Sequence, residues 1–146
     1  MNNPITQLEQ LTLTSASKRF LRETAKWTFF LSILGFLFIG LLLLFAIFAT
    51  TIFGFVQKTQ PQAMPANLGM IMAIVYVILA IIYFFPVYYL LQFSNKMKKA
   101  LDTKNDETLA KAFEMLKSHY KFIGVFTIIS FSLYVLFIIV AIMGAL

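Results

Sequence analysis

His119 is the only histidine among 146 residues, and the chain contains no cysteine. Imidazole is well suited to proton transfer near neutral pH, so His119 is the first candidate for catalysis. Catalysis also needs a partner group, and His119, which lies in the stretch Lys117–Lys121, has no such group at helical spacing beyond charged neighbours. We therefore interpret His119 as a solvated surface residue. Because one histidine without thiolates cannot build a metal centre, we predict no metal site.

Other catalytic and cofactor-binding patterns are missing from the sequence. There is no glycine-rich phosphate loop, and no serine lies in a nucleophile elbow. The acidic residues number six, and none falls within an apolar run. We therefore predict no catalytic residue, no cofactor and no enzymatic activity.

The composition indicates a membrane protein. Hydrophobic residues make up 60% of the chain and charged residues 12%, whereas soluble domains average roughly 45–50% apolar and about 25% charged residues. So few charges cannot cover a soluble globule of this size. The predicted fold class is an all-α integral membrane protein with three transmembrane helices in a bundle.

Three uncharged runs are each long enough to cross a bilayer, which takes about 20 residues. They cover about residues 28–55, 68–93 and 122–146. Ionisable residues inside such spans mark proton relays and ion sites. Their absence here argues against an ion-coupled transporter.

The basic residues predict the orientation, because cytoplasmic loops are rich in lysine and arginine. Four basic residues precede the first span, and seven lie between the second and third spans. The loop between the first and second spans contains one basic residue, Lys58. We therefore expect the N-terminus and the longer loop on the cytoplasmic side, and the C-terminus outside.

The longer loop, residues 94–121, is predicted to be a cytoplasmic helical hairpin that extends spans two and three. Apolar residues recur on one helical face, and Asn105 is a plausible N-cap. The turn should fall near residues 102–105. The residues of this face are Leu109, Ala112, Phe113, Leu116 and Tyr120.

The N-terminal part should divide into a tail and a helix. Thr14 or Ser15 can cap a helix that leads into span one. We predict a loosely ordered tail over residues 1–14 and a membrane domain over residues 15–146.

Each span has one face of small or hydroxyl-bearing residues at about 100° per residue. Membrane helices associate through such residues because lipid is as apolar as leucine. We predict that these faces pack together, although they could instead line a pore between protomers. The predicted packing residues are Ala46, Thr50 and Gly54, then Gly69, Ala73 and Ala80, then Thr127, Ser130 and Tyr134.

Five lysines should form a basic collar at the inner leaflet, where anionic headgroups attract such clusters. The collar could equally serve only to fix the topology. The predicted partners are membrane lipids and either a second copy or another membrane protein, with no nucleic acid. The candidate lipid contacts are Lys96, Lys98, Lys99, Lys117 and Lys121.

Three stretches of the chain, residues 19–48, 88–101 and 112–130, resemble small membrane proteins known as domain of unknown function five-three-six-two. The more specific signatures are ETAKW at Glu23–Trp27 and LKSHYKFIG at Leu116–Gly124. The resemblance covers most of the chain from about residue 15. It implies a bacterial protein of the inner membrane, from Bacteroidota, and it supplies no catalytic or binding residue.

Three functions are compatible with these observations. The favoured one is a non-enzymatic structural or accessory protein that packs with itself or with other membrane components. The second is an oligomeric channel or facilitator. The third is an enzyme that acts on lipid at the inner interface through His119 or the acidic residues of the hairpin. The residues that would line the channel are Thr50, Thr51, Thr127, Ser130 and Tyr134.

Overall fold

The computed structural model describes residues 13–60, 62, 65 and 67–145, and it places three long helices in them. Helix α1 is Ser15–Thr59, α2 is Leu68–Thr103 and α3 is Asp106–Ala145. Each contains a stretch long and apolar enough to cross a membrane, as the sequence predicts. At 1.5 Å per residue, the 45 residues of α1 extend about 67 Å. This is more than twice the roughly 30 Å of a hydrocarbon core, so α1 continues well beyond it.

Side chains fix the start of α1 and the turn between α2 and α3. Thr14 Oγ1 accepts a hydrogen bond from Ser17 N at 3.1 Å, and Asn105 Oδ1 accepts one from Thr108 N at 2.9 Å. Lys104 ends α2 in the left-handed conformation, with φ 52°. The helix start near Thr14, the Asn105 cap and the turn near residues 102–105 are thus confirmed. Of the predicted tail, residues 1–12 lie outside the described residues.

Helices α1 and α2 pack along a seam that repeats every seven residues. The buried residues of α1 are spaced three or four apart, with Gly35 filling the one longer interval. Such a 3.5-residue repeat is the pattern of left-handed coiled packing, in which side chains of one helix fit between those of its partner. The buried residues are Ala25, Thr28, Ser32, Ile39, Leu42, Ala46 and Ala49.

The seam departs from the predicted face towards the far end of α1. Ala46 is buried as predicted, but Thr50 is exposed and Gly54 only half-buried, while Ala49 takes the buried position. A straight helix turns 100° per residue, and a seven-residue repeat drifts from it by about 20° per heptad. From Thr28 to Thr50 the drift amounts to about 60°, which moves the contact line from Thr50 towards Ala49.

Helix α3 packs only on α2, so the three helices lie in series. Over the described residues, no Cα of α1 comes within 8 Å of a Cα of α3. From Thr127 to Gly144 every described side chain of α3 is exposed. The predicted bundle, with all three spans facing one another, is therefore not the arrangement observed. Because lipid solvates an apolar helix as well as another helix does, no hydrophobic force closes α3 onto α1.

Candidate functional site: the basic junction of the three helices

The three helices meet at the end of the molecule that carries the α2–α3 turn. We call this region the basic junction, because lysines and arginines surround it, and we define it by the buried apolar residues at its centre. This core consists of Ala25 from α1, Phe93 and Met97 from α2, and Ala112 from α3. The Ala25 and Ala112 positions are fully buried, and a larger side chain at either would push the helices apart. Half-buried apolar residues surround the core: Leu21, Leu101, Leu109, Met115 and Leu116.

Ser94 forms a hydrogen bond between α2 and α1 inside the junction. Its hydroxyl donates to the backbone carbonyl of Ala25 at 2.5 Å, and Ser94 is fully buried. The carbonyl accepts this bond in addition to the bond of its own helix, because an oxygen has two lone pairs. Ser94 therefore fixes the register of α2 against α1 at this end.

His119 makes the corresponding contact between α3 and α2. Its Nδ1 lies 2.8 Å from the backbone carbonyl of Pro86, and the residue is half-buried. Because a carbonyl oxygen only accepts, Nδ1 donates the proton of this hydrogen bond. His119 is thus not the solvated residue that the sequence suggests. Its hydrogen-bond partner lies 33 positions away in the chain, so an inspection of residues three or four positions away cannot identify it.

Two cationic side chains tie α1 to the C-terminal half of α2. Arg22 pairs with Asp102 at 2.9 Å, and Lys98 Nζ lies 4.2 Å from the centre of the Phe29 ring. The first pair is solvent-exposed, so it contributes little to stability. Together the contacts bring basic residues from before span one and after span two to the same end of the molecule.

The five collar lysines lie on both helices of the hairpin. Lys96 and Lys98 are half-buried on α2, whereas Lys99, Lys117 and Lys121 are exposed. Within the described part of the chain, none of the five forms an ion pair. Of the five ammonium groups, that of Lys98 contacts the Phe29 ring.

Helix α3 begins with an exposed ion pair away from the junction. Glu107 accepts a hydrogen bond from Lys111 Nζ at 2.6 Å. This hydrogen bond, followed by the charge of Lys111, lowers the pKa of Glu107, and the same contacts raise the pKa of Lys111. The pair stabilises the first turns of α3 only above the lowered pKa of Glu107, and it does so weakly because it is fully exposed.

The predicted packing residues separate into two groups. Ala80 is buried and Ala73 half-buried on α2, and a β-carbon added at Gly69 would stand 3.0 Å from Phe53 Cβ of α1. These residues and Ala46 come together in the seam. The exposed residues are Thr50, whose hydroxyl bonds to Ile47 O of its own helix, and Thr127, Ser130 and Tyr134 of α3, of which Thr127 lines a cleft between α2 and α3.

The arrangement offers contacts for helices and anions rather than for a metal ion. Among the residues with described positions, no three His, Asp or Glu side chains lie close enough together to hold a metal. The sequence analysis missed Ser94, although it lies on the spacing Val87, Leu90, Ser94, Met97 that continues the α2 seam. A polar residue at such a position signals an interhelical hydrogen bond.

Comparison with protein-family models gives one match, to a family of unknown function, DUF5362, over residues 66–143. The matched segment is a little over half of the chain and covers almost all of α2 and α3. Comparisons with curated proteins and with solved structures give no match.

Proposed function

We propose that this chain, which belongs to the family of unknown function DUF5362, is a non-enzymatic protein of a bacterial inner membrane. It acts as a structural or accessory component, through helix packing within the membrane and through its basic junction at the cytoplasmic surface. Its partners are anionic lipids together with a second copy of itself or another membrane protein.

The α1–α2 seam is the observation that supports this proposal most. Over 25 residues, from Ala25 to Ala49, the buried positions of α1 follow one seven-residue repeat. Two small residues of the α1 face, Ser32 and Ala46, are buried in helix contacts. Ser32 donates its hydroxyl to its own helix at Phe29 O, so it needs no water.

The orientation rests on the distribution of charge. The Arg22–Asp102 pair and the Lys98–Phe29 contact place basic residues from two segments at one end. The opposite end carries Lys58 as its single basic residue. The positive-inside tendency then favours a cytoplasmic junction and an external C-terminus.

An oligomeric channel is the alternative, and the exposure of α3 favours it. Thr127, Ser130 and Tyr134 are exposed, with Tyr134 at 61%. In a ring of protomers these residues could face a shared water path. The monomer leaves them towards lipid, which tolerates isolated hydroxyls bonded to helix carbonyls.

Reconstitution into liposomes distinguishes the two functions. The purified protein should leave an imposed potassium or proton gradient intact, because its spans carry no group to stabilise an ion in hydrocarbon. A leak that grows with the amount of protein and changes in Thr127→Val or Ser130→Ala would overturn the proposal in favour of the channel. A Ser132→Ala variant is the matched control, since Ser132 donates to Ile128 O of its own helix.

A further inference from the structure

A cleft of about 460 Å³ runs along the outer side of the α2–α3 contact. Its wall is built from Tyr89 of α2 and from one face of α3. It lies beside the junction core and shares no residue with the α1–α2 seam.

The lining of the cleft changes from polar to apolar with distance from the junction. Ser118 and Lys121 line it near the hairpin, and Phe122, Val125 and Ile129 continue it towards the membrane centre. These positions recur every three or four residues, so they form one continuous stripe on α3. The polar end of the cleft thus corresponds to the headgroup of a lipid molecule, and its apolar part corresponds to an acyl chain.

The length of the cleft matches one leaflet. From Ser118 to Ile129 the helix rises by 11 residues, or about 16 Å. Half of a hydrocarbon core of about 30 Å is about 15 Å. From Lys121 to Ile129 the helix rises by eight residues, or about 12 Å, so Phe122, Val125 and Ile129 would cover most of an acyl chain that begins at the level of Lys121.

The polar end of the cleft suits a phosphate. Lys121 is exposed and forms no ion pair with any described residue. Tyr89 is half-buried and lines the same cleft. One ammonium and one phenol at the headgroup level provide two donors for one anionic group.

We propose that this cleft binds one anionic phospholipid of the inner leaflet. Its phosphate contacts Lys121 and Tyr89, and one acyl chain lies along Phe122, Val125 and Ile129. The inference rests on the proposed function in requiring that α2 and α3 span a membrane with the basic junction at the inner surface.

Lipid retention measured by native mass spectrometry tests the cleft. Protein released from micelles containing phosphatidylglycerol or phosphatidylcholine should retain one phosphatidylglycerol in preference. Lys121→Gln should reduce that retention about fivefold, the effect of one lost charge near an anionic surface. Lys18→Gln, which removes an exposed charge outside both the cleft and the collar, is the matched control and should leave the tightly held lipid in place.

A second pair of variants tests the acyl part. Val125→Trp should fill the cleft and abolish the retained lipid, whereas Val140→Trp, on an exposed stretch of α3 outside it, should not. Soluble glycerol phosphate should fail to displace the lipid, since it lacks the chain.

Equal losses in Lys121→Gln and Lys18→Gln, or displacement by glycerol phosphate, would overturn the lipid site and leave the proposed function intact. A potassium or proton leak in liposomes would overturn the proposed function while the lipid measurement stands on its own.

Discussion

The Cα of Gly35 lies so close to Val87 that a β-carbon at residue 35 would stand 2.6 Å from Val87 Cγ2. Val87 is a branched side chain on the seam of α2, and it has little room to move. Gly35 therefore allows α1 to approach α2 closely at the level of Val87.

Replacing Gly35 by alanine should destabilise the protein, because the added methyl overpacks the seam. We expect a loss of about 1–3 kcal/mol in the free energy of unfolding, measured by denaturant titration in micelles. Gly40→Ala is the matched control, since nothing lies within 4 Å of its added β-carbon. An equal loss in both variants would contradict the assigned seam.

Replacing Ser94 by alanine should remove the hydrogen bond to Ala25 O and little else. We expect a loss of about 1 kcal/mol in the free energy of unfolding, typical of one such bond. Ser132→Ala removes a hydroxyl bonded within its own helix, at an exposed position, and should change stability less. If thermal unfolding in micelles shifted equally in both variants, Ser94 would have no special role in holding α1 to α2.

Replacing Ala112 by leucine should push α3 away from α2 at the junction core. Ala112 is fully buried among Phe93, Met97 and Ala25, and the added carbons should cost about 1–3 kcal/mol. The neighbouring Ala110 is exposed, so Ala110→Leu should be tolerated. Limited proteolysis near Lys104 reports the opening, and protection retained in Ala112→Leu would argue against the junction core.

Replacing His119 by leucine should loosen α3 from α2, since the bond to Pro86 O is lost while apolar volume is kept. Because the chain contains no cysteine, a double variant with Ile71→Cys and Leu133→Cys carries spin labels at these two positions only. The distance distribution between these labels should broaden in His119→Leu. The exposed neighbour Tyr120 offers the control Tyr120→Leu, which should leave the distribution unchanged. Unchanged distances in both variants would show that His119 does not hold α3.

The orientation can be tested with the same cysteine-free background. In spheroplasts, an impermeant maleimide should label Lys58→Cys, and it should label Lys104→Cys only after the membrane is permeabilised. This follows from the four and seven basic residues that flank the proposed cytoplasmic side. The opposite labelling pattern would reverse the proposed topology.

Local signals in the sequence predicted most of the fold. Uninterrupted apolar runs located the three helices, and the side chains of Thr14 and Asn105 located two helix starts, because capping acts over three residues. The hairpin turn followed from the same local chemistry. These features depend on neighbours in the chain, which are visible without a structure.

The contacts between helices were harder to predict. The assumption of a straight helix placed Thr50 on the seam, whereas supercoiling brings Ala49 there. The His119–Pro86 bond joins residues far apart in sequence, so no periodic pattern reveals it. The packing of α3 against α2 but not α1 depends on whether contacts with another helix are more favourable than contacts with lipid. The amino-acid composition alone does not determine this difference.

The serial packing of the helices has a consequence for biosynthesis. Because α1 contacts α2 and α2 contacts α3, every helix finds its partner next to it in the chain. Once translation has reached Thr103, both sides of the Gly35–Val87 and Ser94–Ala25 contacts exist, and the first pair can assemble while α3 is still on the ribosome. Helix α3 then docks onto a finished surface through Ala112 and His119. Serial packing therefore allows tertiary assembly to follow the order of synthesis, from the N-terminus to the C-terminus.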